Sequence, residues 1–275
     1  MERFLFRLSM SPHGDRLILK GALLLVTWEI SLTRPTRDID LLGNVSNDVD
    51  GIVTIIREVC LQEVEPDGLE FAPDSVSGER IAEEAEYEGV RVRFRGNLGT
   101  ARVSMQIDVG FGDAVVPGPS TVNYPTILDL PAPRVRAYTR ESVIAEKFHT
   151  MVRRGLLNSR IRDFFDVWAL SRQFEFDGGV LAEAIRQTFE RRDQGVVPRP
   201  VALTDEFAAD ASRAAQWRGF LRKSRLHGAP SEVAEVVRAI AVFLGPVAEA
   251  LHEGREFKGR WVASGRWTAG PTSGA

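Results

Sequence analysis

The chain has 275 residues, 44% of them hydrophobic, with one cysteine, four histidines and a formal net charge of −3. That length can bury a full core as one large domain or two smaller ones, while a single cysteine excludes an internal disulfide and so few His and Cys argue against a zinc cluster. The charge excludes a protein that coats nucleic acid with its whole surface, no apolar run of about 18 residues is present to span a membrane, and charges break up the apolar N-terminus, so a cytoplasmic protein without a secretion signal is expected.

In chain order, Arg16 to Leu19 reads as a short strand running into Gly21, and the apolar run Ala22 to Ile30 as a buried helix. A glycine between strand and helix lets backbone N–H groups at the helix start approach phosphate oxygens closely, although a plain packing turn is written the same way. Arg34, Pro35 and Thr36 form a turn-rich approach to Asp38-Ile39-Asp40-Leu41-Leu42. If these five residues form a strand, Asp38 and Asp40 share one face, about 7 Å apart along the chain, and Ile39 and Leu41 face the core. Two ionised carboxylates that close repel unless a cation sits between them, and Mg²⁺, which takes oxygen ligands, is the simplest such cation. A bare D-x-D also describes a strand end turning into a loop, so its surroundings decide.

Val49, Ile52, Val53, Ile56, Val59 and Cys60 recur at helical spacing, with Ser46 or Asn44 placed to cap the helix and Cys60 as a buried thiol. Glu79 to Glu88 is charged and poorly patterned. Val90 to Arg95 then alternates strictly, Gly96 to Gly99 reads as a turn, and Val103 to Val109 returns with the same alternation. Ser104, Gln106 and Asp108 share the polar face of this returning strand. A helix followed by a hairpin can bring that strand beside the Asp38 strand, and three carboxylates from two adjacent strands are the minimum cage for two metal ions in phosphoryl or nucleotidyl transfer. An ordinary outward-facing strand aspartate is the plainer reading of Asp108 alone.

Further on, Val135 to Tyr138 adds a strand and Thr139 caps a helix whose buried stripe is Ile144, Phe148, Met151 and Val152. Only four of the 35 basic residues are lysine, and Lys147 lies beside this stripe, where its stem can run along the core while its ammonium reaches an acidic cleft and neutralises triphosphate oxygens. A surface lysine paired with a nearby acid fits the same residues. Asn158 or Ser159 is placed to cap the next helix, on which Asp163 is positioned to meet Lys147, and Asp166 to pair with Arg162. Val180 to Phe189 and Val233 to Leu251 also read as helices, Gly178-Gly179 as a connector, and the segment from Gly265 as a frayed tail. Ala211 to Arg225 carries five basic residues and no acidic one. The expected architecture is α+β, a mixed sheet with flanking helices over residues 1–139 and a helical domain over residues 140–275 contributing Lys147 and Asp163 to a cleft between the halves.

Two blocks carry a resemblance. Leu19-Lys20-Gly21 followed by Arg34-Pro35-Thr36-Arg37-Asp38-Ile39-Asp40-Leu41, with Asp108 in a later strand, resembles the nucleotidyltransferase signature and, more closely, the AbiEii toxin family of abortive-infection and toxin–antitoxin nucleotidyltransferases. Glu141 to Lys147 and Arg160 to Asp166 are similar to that family's downstream Lys and Asp region. The resemblance spans about Leu17 to Leu170, and it departs where the family usually has a second glycine and a Ser or Thr: here stand Ala22 and Leu23. It implies a nucleotidyltransferase-like sheet and transfer of a nucleotidyl group from NTP to an RNA acceptor, with tRNA the best candidate. It further implies Mg²⁺ or Mn²⁺ held by Asp38, Asp40 and Asp108, NTP contacts from Lys20, Gly21, Ala22, Arg37 and Lys147, a functional Asp163 and a cognate antitoxin. A phosphotransferase with the same metal logic, or a non-catalytic protein binding RNA or a partner through arginine-rich helices, are the alternatives.

Overall fold

Short runs of β-branched and leucine residues build the centre of the sheet, and strictly alternating runs build one wing. The computed structural model describes residues 1–30, 34–36, 38–83, 87–226, 228–263 and 265–269. These divide into two compact units: Met1–Glu29, Pro35–Asp113 and Gly118–Tyr138 form the first, and Ile30–Arg34, Ala114–Pro117 and Thr139–Ala275 the second.

The first unit opens with helix α1 (Glu2–Met10), strand β1 (Leu17–Lys20), a single 3₁₀ turn over Gly21–Leu23 and one turn of helix, α2 (Leu24–Thr27). Strand β2 (Ile39–Gly43), helix α3 (Val49–Leu61) and the long strands β3 (Leu69–Glu83), β4 (Tyr87–Leu98) and β5 (Ala101–Phe111) follow, and β6 (Ser120–Asn123) and β7 (Arg134–Ala137) complete it. All seven strands form one mixed sheet in the order β3-β4-β5-β2-β1-β7-β6. β2 runs parallel to β5 and antiparallel to β1, and β1 runs parallel to β7. Leu17, Ile18 and Leu19 are all buried, as expected of a strand covered on both faces. In the wing, Val90 lies opposite Val109, Val92 opposite Ile107 and Phe94 opposite Met105, so one face of the β4–β5 hairpin is apolar and buried over these three pairs, while Val103 and Leu98 nearer the turn are exposed. Phe4 of α1 packs against it, its ring 5.3 Å from Phe94 and 5.9 Å from Phe71. Arg3 and Arg7 on the same helix both reach Asp67, at 2.7 Å each, tying α1 to the loop before β3.

Several local expectations are corrected. The helix over Ala22 to Ile30 is reduced to the 3₁₀ turn and α2, because Glu29 takes a left-handed φ of 50° and ends it. Asp48, rather than Ser46 or Asn44, caps α3: it immediately precedes the first helical residue and accepts from the Gly51 N–H at 2.7 Å. The charged stretch from Glu79 belongs to β3 and β4, with residues 84–86 outside the described set. The hairpin turn falls at Gly99 and Thr100, with Gly96 inside β4.

In the second unit come α4 (Arg140–Arg154), α5 (Ile161–Gln173), the short strand β8 (Phe176–Asp177), α6 (Gly178–Arg191), α7 (Asp205–Ala208), α8 (Ala211–Ser224) and α9 (Val233–His252). Strands β9 (Gly259–Val262) and β10 (Arg266–Ala269) join β8 in a three-stranded sheet, so residues expected to fray from Gly265 pair as a strand up to Ala269. Gly178 and Gly179, expected as a connector, open α6 under an Asp177 cap. Neither Asn158 nor Ser159 caps α5: Arg160 occupies the cap position, and the Asn158 side chain accepts from the Arg160 N–H just ahead of the helix. Phe164 stacks on Phe207 at 5.1 Å and Phe243 meets Trp261 at 4.6 Å, so aromatic pairs fill much of this core. No helix among the described residues is long and apolar enough to cross a membrane.

Candidate active site

Strand register alone lines up the charged residues of the first unit. Lys20 on β1 is opposite Asp40 on β2, Asp40 is opposite Asp108 on β5, and Asp108 is opposite Arg91 on β4. Residues directly opposite each other on paired strands share a face, so the four stand in one row, with neighbouring strands about 4.8 Å apart. The two carboxylates are the inner members and the two cations the outer ones. Like charges directly opposite are destabilising, and the row offsets this on one side: Arg91 Nε donates to Asp108 Oδ1 at 2.8 Å and Nη2 to Oδ2 at 2.7 Å.

Burial and strain fix the rest of the row. Lys20 is 7% exposed, its ammonium 2.9 Å from Asp113 Oδ2 and 5.7 Å from the centre of the Tyr138 ring. Gly21 has φ of 75°, and a Cβ built there would lie 2.1 Å from Asp40 Oδ2. The Asp40 carboxylate therefore rests against the Gly21 backbone, an approach only glycine permits. Ala22 follows, buried in the 3₁₀ turn. Asp38 is exposed just ahead of β2. Arg91 is held above the ordinary arginine value, chiefly by its hydrogen bonds to Asp108, with burial opposing and the charges of Asp108, Asp38 and Glu79 adding, so Asp38 also acts on this guanidinium. Arg37, expected to contact NTP, lies outside the described residues.

The donor set is oxygen only, which suits a hard divalent cation. Its arrangement is incomplete: among the described residues no three His, Cys, Asp or Glu side chains are gathered as a metal-binding group. Both oxygens of Asp108 accept from Arg91. Asp38, Asp40 and Asp108 carry the kind of oxygen donors that such an ion takes.

A second charged cluster lies wholly within the second unit. Lys147 Nζ on α4 is 2.5 Å from Asp163 Oδ1 and 2.9 Å from Asp166 Oδ2, both on α5. Arg160 Nε meets the other Asp163 oxygen at 2.9 Å. Arg34 grips Asp166 with two hydrogen bonds of 2.8 Å, so Asp166 is held from a residue 132 positions away rather than by Arg162. Burial works to lower the Lys147 pKa, but the charges of Asp163 and Asp166 outweigh it and the value is raised. Burial likewise works to raise Asp163, and the charges of Lys147 and Arg160 outweigh it and lower the value.

Four members of these clusters were given no role in the sequence reading: Arg91, Asp113, Arg34 and Arg160. The signal for Arg91 was present, because its strand alternates and only the turn position was needed to place it opposite Asp108. For Arg34 and Asp113 no local pattern existed.

A profile described as nucleotidyl transferase AbiEii toxin, type IV toxin–antitoxin system, matches residues 3–239. No curated protein is detectably similar in sequence. Two solved structures from Helicobacter pylori are similar in fold: JHP933, with 14% identity, a TM-score of 0.44 and coverage of 92% of this chain and 88% of that one, and a protein described as a candidate nucleotidyltransferase, with 15% identity, a TM-score of 0.43 and coverage of 92% and 91%.

Proposed function

This chain belongs to the AbiEii family of nucleotidyl transferase toxins of type IV toxin–antitoxin systems, and from that premise we propose that it transfers a nucleotidyl group from an NTP to an RNA acceptor, with a tRNA end the best candidate. The observation that carries the reading is the register of Asp40 with Asp108 on neighbouring parallel strands. Asp38 and Asp40 would hold Mg²⁺ or Mn²⁺, and Asp108, released by Arg91, would complete the set and help deprotonate the acceptor hydroxyl. The chemistry such an ion supplies is charge stabilisation on phosphoryl oxygens and activation of the attacking hydroxyl. The backbone N–H groups of Gly21 and Ala22, with Lys20 and Arg37, are assigned to the nucleotide phosphates. Lys147 is assigned to the triphosphate, and Asp163 holds its ammonium in place. In this reading the type IV system's antitoxin is the cognate partner.

The test is label transfer. With α-labelled NTP and total cellular RNA, the parent protein should yield a longer labelled RNA, and Asp38→Ala or Asp40→Asn should lower the rate by on the order of 10²–10³-fold with the melting midpoint nearly unchanged. Equal rates in parent and variants would overturn the assignment. Transfer of label from γ-labelled but not α-labelled NTP would identify a phosphotransferase instead, and no transfer of either label, with RNA binding intact, a non-catalytic binder.

A further inference from the structure

Of the five basic residues between Ala211 and Arg225, one is built into the fold. Arg213 is buried, lies 3.9 Å over the Phe207 ring and donates to the carbonyls of Phe207 and Leu156. Trp217 is fully buried with its indole N–H on the Pro230 carbonyl, and Phe220 meets the ring of Phe165 at 5.3 Å. Positions 213, 217 and 220 thus define the inner side of α8. Arg218, Arg222, Lys223 and Arg225 are all exposed, and 218, 222 and 225 recur at one-turn spacing. None of the four forms a salt bridge to a carboxylate among the described residues. Elsewhere in this unit Arg186 pairs with Glu183 and Glu190, Arg238 with Asp205 and Arg260 with Glu175, and the exposed Arg162, Arg199 and Arg266, which form no salt bridge among the described residues, stand singly; α8 differs in gathering four such cations on one helix end.

Two features of this face are unfavourable for the fold itself. Like charges three and four residues apart destabilise a helix. Arg225 also ends α8 in the left-handed conformation, with φ of 52° and ψ of 39°, a position that glycine takes without steric penalty. The left-handed turn is compensated in part, since the Arg225 and Leu226 N–H groups close the helix on the Arg222 and Leu221 carbonyls, but no salt bridge among the described residues offsets the like charges, which is the pattern of a surface shaped by a ligand. The ligand must be an extended polyanion. Four cations lie along roughly 10 Å of helix, and the forked guanidinium matches phosphate oxygens. A membrane surface is disfavoured, because the apolar side that a helix would insert is already buried against Phe165.

We propose that Arg218, Arg222, Lys223 and Arg225 form a docking surface for the phosphodiester backbone of RNA, positioning it without reading its sequence. The inference rests on the reading of the acceptor as RNA, and it is tested without NTP, so that binding is scored apart from transfer. Fluorescein-labelled bulk tRNA is titrated with the parent and with the triple variant Arg218→Gln, Arg222→Gln, Arg225→Gln at several salt concentrations. The triple variant should bind ~10–100-fold more weakly near 0.1 M salt, and its slope of log affinity against log salt should be shallower by about 2 to 3. A control carrying Arg186→Gln, Arg238→Gln and Arg260→Gln, with the same change in net charge, should lose less than about threefold. Arg225→Gly separates folding from binding: it should raise the melting midpoint while weakening binding and reducing the slope by about 1. Failure of the parent to bind tRNA, equal affinity and slope in the triple variant, or an equal loss in the control would each overturn the proposal. So would a loss of binding to an acidic protein with tRNA binding unchanged. Label transfer in the parent with unchanged KM for RNA in the triple variant would sink this surface while leaving the proposed activity standing.

Discussion

The sheet row Lys20, Asp40, Asp108, Arg91 and the helical cluster Arg160, Asp163, Lys147, Asp166, Arg34 use the same residue types, two aspartates set among cations, in different settings. In the helical cluster Asp166 is fully buried, Asp163 7% and Lys147 13% exposed at the side chain, and Arg34 closes it from below 10%. In the row, Lys20 is 8%, Asp108 12% and Arg91 30% exposed at the side chain, while Arg160 at the rim of the helical cluster is 51% exposed. A buried ion pair with every oxygen engaged resists exchange, because removing either partner strands a charge out of water. A part-exposed pair sits in a higher effective dielectric and yields to a competing cation at small cost. Burial suits the Arg34–Asp166–Lys147 contacts to bracing and the part-exposed Arg91–Asp108 pair to changing partners.

The largest effect that can break this contrast is on stability. Asp166→Ala leaves Arg34 and Lys147 facing a cavity and should cost about 3–5 kcal/mol, lowering the melting midpoint by roughly 10 °C. A shift of only a degree or two, measured by calorimetry, would mean that the helical cluster is not a brace. A smaller and more gradual effect is the pH dependence of that brace. Lys147 is raised when folded, so its contribution is whole below the unfolded lysine value of about 10.4 and is lost as pH climbs through the folded one. Asp163 is lowered when folded, so its contribution is whole above about pH 3.9 and is lost as pH drops through the folded value. The cluster should therefore contribute a flat term from about pH 5 to 9, and Asp163→Asn should flatten the acid limb of the melting curve and shrink the alkaline limb, because the Asp163 charge is a main cause of the raised Lys147 value. A midpoint that drifts across the neutral range in the parent and stops drifting in Asp163→Asn would contradict this.

The smallest stability effect belongs to the row. Arg91→Gln should change stability by no more than ~1 kcal/mol, since the pair is part-exposed. Its expected consequence is functional: with Asp108 released, half-maximal label transfer should need several-fold less Mg²⁺. An unchanged or higher requirement would detach Asp108 from Asp38 and Asp40, and would make Arg91 a fixture rather than a latch.

How much of this was legible depended on distance along the chain. Alternation in 103–109 and a helix followed by a hairpin were enough to bring Asp108 to the strand beside Asp40, because both rules act over a few residues and one connection. Arg91 was lost through a shift in the turn. Taking Gly96 to Gly99 as the bend slides the hairpin by about four residues, whereas the bend at Gly99 and Thr100 puts Arg91 opposite Asp108. β3 hid because it is an edge strand, and edge strands carry charges that disguise their alternation. On α8 the excess of arginine could be counted, but not which arginine turned inward; that was settled by the Phe207 ring and the Leu156 carbonyl. Arg34 on Asp166 joins segments 132 residues apart, and no periodicity reports such a partner.

Gly21 carries an evolutionary consequence. Any substitution that one nucleotide change can make in a glycine codon brings in a Cβ or ends translation, and a Cβ there would overlap the Asp40 carboxylate. On the proposed reading, a single base is enough to disarm the protein while its hydrophobic interior stays whole, so a gene under pressure to lose its toxicity has an escape route one mutation long.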